Sequence, residues 1–153
     1  MAYWRMQLHP SDSQNAVEQT VSCLGKGYIG LDFEQDIGDL LTTEKEIIKS
    51  TQQDYWYFAH SMKVGDHALI IAHHYPFALV EVVGEYNYIR DSETDLGIWC
   101  RHFRKVKLIG FYADYTTNAK SWQQLIMTDT ISILNDPNSK SYKLIEEWYM
   151  HQK

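Results

Sequence analysis

The sequence predicts an α+β fold, a small barrel or strongly curved sheet with helices around it. Three observations lead there. Several short stretches carry the period-two pattern of strands, and two of them are arranged as a hairpin. Helical stretches lie among the strands and again at the end of the chain. No repeat, low-complexity segment or linker divides the sequence. Strands and helices around one core give this class, and 153 residues suit a single domain.

The elements follow in order. "YWRMQL" (3–8) is short, aromatic and partly alternating, a strand that Pro10 ends because proline lacks the ladder N–H. "SDSQNAVEQTVSCLGKG" is a helix, with Ser11 or Ser13 as its cap and Gly25 and Gly27 to close it. "YIGLDF" (28–33) is a second strand with Ile29, Leu31 and Phe33 on one face. Residues 37–62 read as mainly helical, and Thr43 with Glu46 has capping-box spacing. Gly65-Asp66 turns into the strand "HALIIAHH" (67–74). Tyr75-Pro76 turns the chain again, and "FALVEVVGEYNYI" (77–89) completes the hairpin. A polar loop (90–97) precedes the last long strand, "IWCRHFRKVKLIGFY" (98–112). "NAKSWQQLIMTDTISILND" and "SYKLIEEWYMHQK" then read as two C-terminal helices split by Pro137.

Composition narrows the function. Aromatic residues make up 14% of the chain, with 11 Tyr, 5 Trp and 5 Phe. Such a chain either packs a Tyr-rich core or stacks rings on a flat ligand, and a stacked base is worth roughly 1–3 kcal/mol. The net charge of −6 argues against a general nucleic-acid coat protein but leaves room for a local basic patch. Cys23 and Cys100 make neither a disulfide framework nor a zinc knuckle, and read as reduced thiols of a cytoplasmic protein. No apolar run approaches the ~18 residues of a membrane span, and the first residues lack the pattern of a signal peptide.

Five stretches, in order, resemble one family. "YWRMQLHPSD" resembles the YW…SEP opening of EVE domains, within the PUA-like superfamily. "GYIGLDFEQDIGDL" resembles the IAIGW…LGDL segment of the modified-base reader domains at the N-termini of McrB-type restriction proteins. "FAHSMKVGDHALI", "VEVVGEYNYIRD" and "RHFRKVKLIG" are similar to the steps into and through the central hairpin and the final strand. The resemblance covers roughly residues 3–112. It implies an EVE/YTH-type, PUA-like barrel over residues 1–112; the tail from 113 onward is not covered by it, and its two expected helices make residues 113–153 a helical extension packed on the same domain. The resemblance also implies an aromatic cage for a flipped, modified base, as in the related YTH domains. Phe33 stands where the reader domains carry Trp, and Leu8-His9-Pro10 replaces SEP.

A site that reads a base needs aromatic walls and one or two polar groups for its edge. Trp4, Phe33, Trp56, Tyr86, Tyr88 and Trp99 are the candidate walls, and Asp32 or Asn87 could meet the edge. The alternative for each ring is core packing. Phe33 is the ring that the resemblance places in the pocket, whereas Trp4 is expected to be structural. Arg101, Arg104, Lys105 and Lys107 make the one dense basic run, with Arg90 across the polar loop. They are candidates for phosphate contacts, or alternatively for charge protecting an edge strand. In a strand, Arg101, Lys105 and Lys107 share a face.

The expected function is therefore a binding module for DNA carrying a methylated or hydroxymethylated base, serving a nuclease or NTPase partner in a restriction or defence setting. RNA or a small nucleotide-like ligand is the alternative for the same fold. An enzyme using Cys100 and His102 as a thiol–imidazole pair is the other, although no third orienting group is evident. His73 and His74 are adjacent, point to opposite faces of a strand and cannot chelate together. No P-loop, H-E-x-x-H or G-x-S-x-G pattern occurs, so no cofactor, metal or catalytic residue is expected.

Overall fold

In the computed structural model of the chain, the residues described are 1–8, 16–33, 35–48, 53–72, 74–91, 93, 100–116, 122, 124–125 and 130–152. They form a seven-stranded sheet, strongly curled into a half-barrel with four helices around it. The strands are β1 (Tyr3–Met6), β2 (Tyr28–Leu31), β3 (His67–Ala72), β4 (Tyr75–Val82), β5 (Asn87–Tyr88), β6 (His102–Phe111) and β7 (Ile131–Leu134). The helices are α1 (Ala16–Lys26), α2 (Asp54–His60), α3 (Tyr112–Tyr115) and α4 (Lys140–Gln152). Strand order is β2-β6-β4-β3-β1-β7, and β5 pairs with the start of β6. β1 lies parallel to β3, and every other pairing is antiparallel.

Both faces of the central strands are covered, which explains why "HALIIA" is apolar without alternation. Ile70, Val80, Val106, Met6 and Trp4 face the inner core with Phe58 of α2. Leu69, Ile71, Leu79 and Tyr3 face the other way, onto Ile145 and Trp148 of α4. Trp4 is 1% exposed, and its Nε1 donates to Asp66 Oδ2 at 3.0 Å. Asp66 also accepts from the N–H groups of Ala2 and Lys63, at 2.9 Å each. The "GD" turn thus pins the first strand to the third, and Trp4 is a core residue, as its place in a short closing strand suggests.

Several elements differ from the sequence expectation. Among the described residues of 37–62, the expected long helix is largely absent. A 3-10 turn (Lys45–Ile47) and α2 take its place. Asp39 folds the preceding loop on itself: its carboxylate accepts from Leu41 N–H at 2.9 Å and its carbonyl from the Thr43 hydroxyl at 2.8 Å. The 3-10 turn is capped by Glu44 with no side-chain cap bond, so Thr43 is not the cap and the capping box does not form. Pro76 sits within β4 opposite Ile71, beside a register shift, and the turn falls at His74, with φ 67°.

The long 77–89 strand breaks after Val82. The N–H groups of Val83 and Gly84 both bond to the Lys105 carbonyl, each at 3.0 Å, the two-against-one pattern of a bulge. A Cβ on Gly84 would lie 2.9 Å from Lys105 Cβ, so the bend needs glycine. Of the first C-terminal helix, "ISIL" is instead the strand β7, paired with β1. Its β-branched residues suit a strand, and β1 offers an open edge. The second C-terminal helix is α4. The α1 cap candidates Ser11 and Ser13 lie outside the described residues, as do Pro10, His73 and Trp99.

Candidate functional site

The site grows from the contact of β2 with the start of β6. Gly30 lies opposite Phe103. A Cβ there would stand 2.6 Å from the His102 carbonyl oxygen and 2.9 Å from Cys100 Cβ, so only glycine allows this approach. His102 then projects into the interior and is 0% exposed. Three rings surround it. Phe33 meets it edge-on at 5.4 Å and 84°, Tyr88 is tilted at 5.1 Å, and Tyr86 lies nearly parallel at 6.0 Å and 23°. Phe33 is packed in turn on Tyr55 at 4.9 Å.

Hydrogen bonds fix the imidazole. The Tyr86 hydroxyl oxygen is 2.6 Å from His102 Nδ1 and accepts the Leu40 N–H at 3.0 Å. His102 Nε2 is buried and has no hydrogen-bond partner among the described residues. Burial pushes the His102 pKa down to about 4, so the ring is neutral at pH 7. Burial likewise holds the Tyr86 hydroxyl far above its ordinary value, and it keeps its proton.

A charged rim ties the β2 exit to this cluster. Arg101 Nε donates to Asp32 Oδ1 at 2.8 Å, its NH2 donates to the Phe33 carbonyl at 2.6 Å, and its backbone N–H reaches Asp32 Oδ2 at 3.2 Å. Asp32 Oδ1 also accepts the Phe33 N–H at 2.8 Å. The Tyr88 hydroxyl donates to the Asp36 carboxylate, 2.6 Å from both oxygens. That bond lowers the Asp36 pKa and raises that of Tyr88.

The structure therefore joins Phe33, Tyr86, Tyr88 and Asp32 of the expected pocket. Trp4 lies apart, bonded to Asp66. Trp56 is stacked on His60 at 3.7 Å, within α2, and has no ring contact with the cluster among the described residues. Asn87 is exposed and bonds to the Glu85 carbonyl at 3.0 Å. The sequence reading missed His102 as the centre of this ring cluster, and missed Asp36 and Tyr55 at its edge. For His102 a signal was present. Lys105 and Lys107 must face solvent, so residues 102, 104 and 106 fall on the opposite, buried side.

That alternation also corrects the phosphate set. Arg104 is 1% exposed and points inward. It donates to the carbonyls of Phe58, Ala59 and Met62, at 2.9, 3.3 and 2.7 Å, and to Gly84 O at 3.1 Å. It caps the C-terminal end of α2, where carbonyls lack intrahelical partners, and four of its five guanidinium N–H groups are committed to these carbonyls. Lys105 and Lys107 are exposed, but on the face of β6 away from His102. Lys107 also stands opposite Glu81 in the ladder. Arg90 and Arg101 both act electrostatically on Tyr88, as the buried Arg104 does on Tyr86.

Burial pushes the Cys100 thiol far up and the His102 imidazole down, so both groups favour their neutral forms. Among the described residues no group of His, Cys, Asp or Glu could hold a metal ion, and no helix is long and apolar enough to cross a membrane. A separate hollow of about 410 Å³ lies between α3 and α4, lined by Tyr112, Tyr115, Leu125, Lys140, Lys143 and Glu147 among others. It contains none of the expected site residues.

Comparisons with known proteins complete the description. Solved structures similar to the chain include a hypothetical protein from Leishmania major, 11% identical with a TM-score of 0.42, aligned over 100% of this chain and 98% of that one. A protein from Agrobacterium tumefaciens is 14% identical with a TM-score of 0.39, over 98% and 92% of the two chains. Human THYN1, solved in complex with 5-methylcytosine-containing DNA, is 16% identical with a TM-score of 0.38, over 100% and 99%. No curated protein matches the sequence. The family profile of DUF8426, a domain of unknown function, matches residues 4–132, which include every described member of the His102 cluster, and the chain belongs to that family.

Proposed function

We propose that this chain is a nucleic-acid-binding module of the PUA-like, EVE/YTH type, which receives a flipped, modified base at the Phe33–Tyr88–Tyr86 cluster in front of His102. The observation that carries the reading is the convergence of these three rings on one buried, neutral imidazole. Stacking surfaces beside a polar edge are what a flipped base requires. Arg90 and Arg101 stand beside Tyr88 and would meet the flanking phosphates. The protonated thiol of Cys100 supports a binding role over an enzymatic one. By its resemblance to restriction-associated readers, the module would deliver recognition to a nuclease or NTPase partner.

A second reading has its own support. Asp32 and Asp36 sit at the rim with Arg101, so the entrance is no basic channel. A free nucleoside would suit such a rim better than a polyanion.

The test is a fluorescence titration at several salt concentrations. The probes are oligonucleotides that are plain or carry one 5-methylcytosine, 5-hydroxymethylcytosine or N6-methyladenine, with the matching nucleosides alongside. A module for nucleic acid prefers one modified oligonucleotide, and its affinity falls as salt rises. A nucleoside pocket binds the nucleoside equally well at all salts. Equal binding of every probe, or none, contradicts both readings.

A further inference from the structure

We propose that His102 is the residue that reads the edge of the bound base, as a neutral imidazole whose Nε2–H donates to a ring-nitrogen or carbonyl acceptor of the ligand. This rests on the base-pocket reading and adds to it the polar contact and the class of edge that the pocket selects.

The argument follows the protons. The Leu40 N–H bonds to the Tyr86 hydroxyl oxygen at 3.0 Å, so that oxygen already accepts once. The one hydroxyl proton of Tyr86 has no acceptor among the described residues other than His102 Nδ1, 2.6 Å away. Tyr86 therefore donates and Nδ1 accepts. A neutral imidazole has one protonated nitrogen, so the remaining proton lies on Nε2. That N–H is a donor, fully buried, and without a hydrogen-bond partner among the described residues. Buried donors are almost always paired, and one left unpaired is a cost to the free protein.

Its surroundings indicate what would pair it. Phe33 and Tyr88 both pack on the imidazole ring, and Asp32 and Asp36 lie close enough to influence its charge. A carboxylate partner would favour a charged ring, but burial prevails and the imidazole stays neutral. The group awaiting a partner is thus a neutral donor among aromatic rings. It suits an uncharged, flat heterocycle with an exposed acceptor. Such a bond also discriminates strongly, since a base lacking the acceptor would leave the donor buried and unpaired. Gly30 and the Leu40–Tyr86 bond act as positioning elements that fix the ring and its tautomer.

The experiment uses the full chain with 15N-labelled histidine, observed by NMR, and the four oligonucleotides named above. The free protein is expected to show His102 protonated at Nε2 and bare at Nδ1. The preferred oligonucleotide should move the Nε2–H resonance in the direction of a new hydrogen bond. Two variants follow: His102→Gln keeps a donor near the Nε2 position, and His102→Asn keeps a group near Nδ1 but loses that donor. His102→Asn should lose about tenfold or more in affinity for the preferred probe, equivalent to about 1.4 kcal/mol, and His102→Gln should lose less. The labelled parent protein answers even if a variant fails to fold. A proton on Nδ1 overturns the inference. So does an unmoved Nε2–H while the Phe33 and Tyr88 ring signals respond, which leaves the base pocket standing. If neither His102 nor those rings respond to any probe, the pocket itself is wrong.

Discussion

The Tyr86 hydroxyl lies 2.6 Å from Nδ1 of His102, inside the sheet and closed off from solvent. With the Leu40 N–H bond to the same hydroxyl, this contact ties the Leu40 loop to β6 through Tyr86, just before β5, and decides which imidazole nitrogen is free.

The first expectation concerns pH. The His102 pKa falls from 6.5 to about 4 on folding, because burial disfavours the charged ring. Between these values the unfolded chain binds more protons than the folded one. Stability is therefore complete above about pH 6.5 and declines as pH falls toward 4, by about 3 kcal/mol from this group. His67, also lowered by burial, acts in the same direction. Thermal melts from pH 8 to pH 4 should show the loss, and His102→Gln should flatten it. A parent melting curve that does not move over this range contradicts the assignment.

Arg104 gives a second expectation. Its guanidinium holds four backbone carbonyls, three of them at the end of α2. Arg104→Ala should destabilise the fold by about 3 kcal/mol or more, since buried acceptors lose their donors. The salt dependence of nucleic-acid binding should not change in whatever fraction stays folded. Denaturant melts with titrations at two salt concentrations measure both, and a flattened salt slope would return Arg104 to the interface.

The exposed cations make a third. Lys105 and Lys107 lie on the face of β6 away from the cluster, whereas Arg90 stands beside Tyr88. Arg90→Ala should weaken all oligonucleotides alike and lower the salt slope by about one. The Lys105→Ala, Lys107→Ala double variant should leave both within error. The reverse result would move the phosphate path to the other face.

Trp4 supplies a fourth. It is buried and bonded to Asp66. Trp4→Ala should cost roughly 3–5 kcal/mol of stability and leave base preference intact. A stable Trp4→Ala protein without preference would place this ring in the pocket after all.

The sequence makes much of this frame readable, for identifiable reasons. Ile29 and Leu31 alternate cleanly, Gly65-Asp66 marks its turn, and α4 carries helical periodicity. Other parts are not readable, because tertiary partners override local preference. "ISIL" becomes a strand through pairing with β1. The Asp39 turn replaces a helix that its neighbours would otherwise favour. In the site, Phe33, Tyr86 and Tyr88 were legible as aromatic residues near a resembling motif. His102 and Arg104 were hidden among cations, and only the two-residue alternation set by Lys105 and Lys107 reveals them as inward-facing. Asp36 takes part through a bond to Tyr88, 52 residues away, which no local pattern encodes.

The central claim is that the His102 cluster is the base pocket, and Phe33 tests it most directly. Phe33→Leu keeps apolar bulk on Tyr55 but removes the aromatic face. Paired titrations of parent and variant would use one plain oligonucleotide and the preferred modified one, with melts to confirm folding. A stacked base is worth roughly 1–3 kcal/mol. The folded variant should therefore lose most of its preference for the modified strand, by about tenfold, and keep its affinity for the plain one. A folded Phe33→Leu protein that discriminates as well as its parent would contradict the claim.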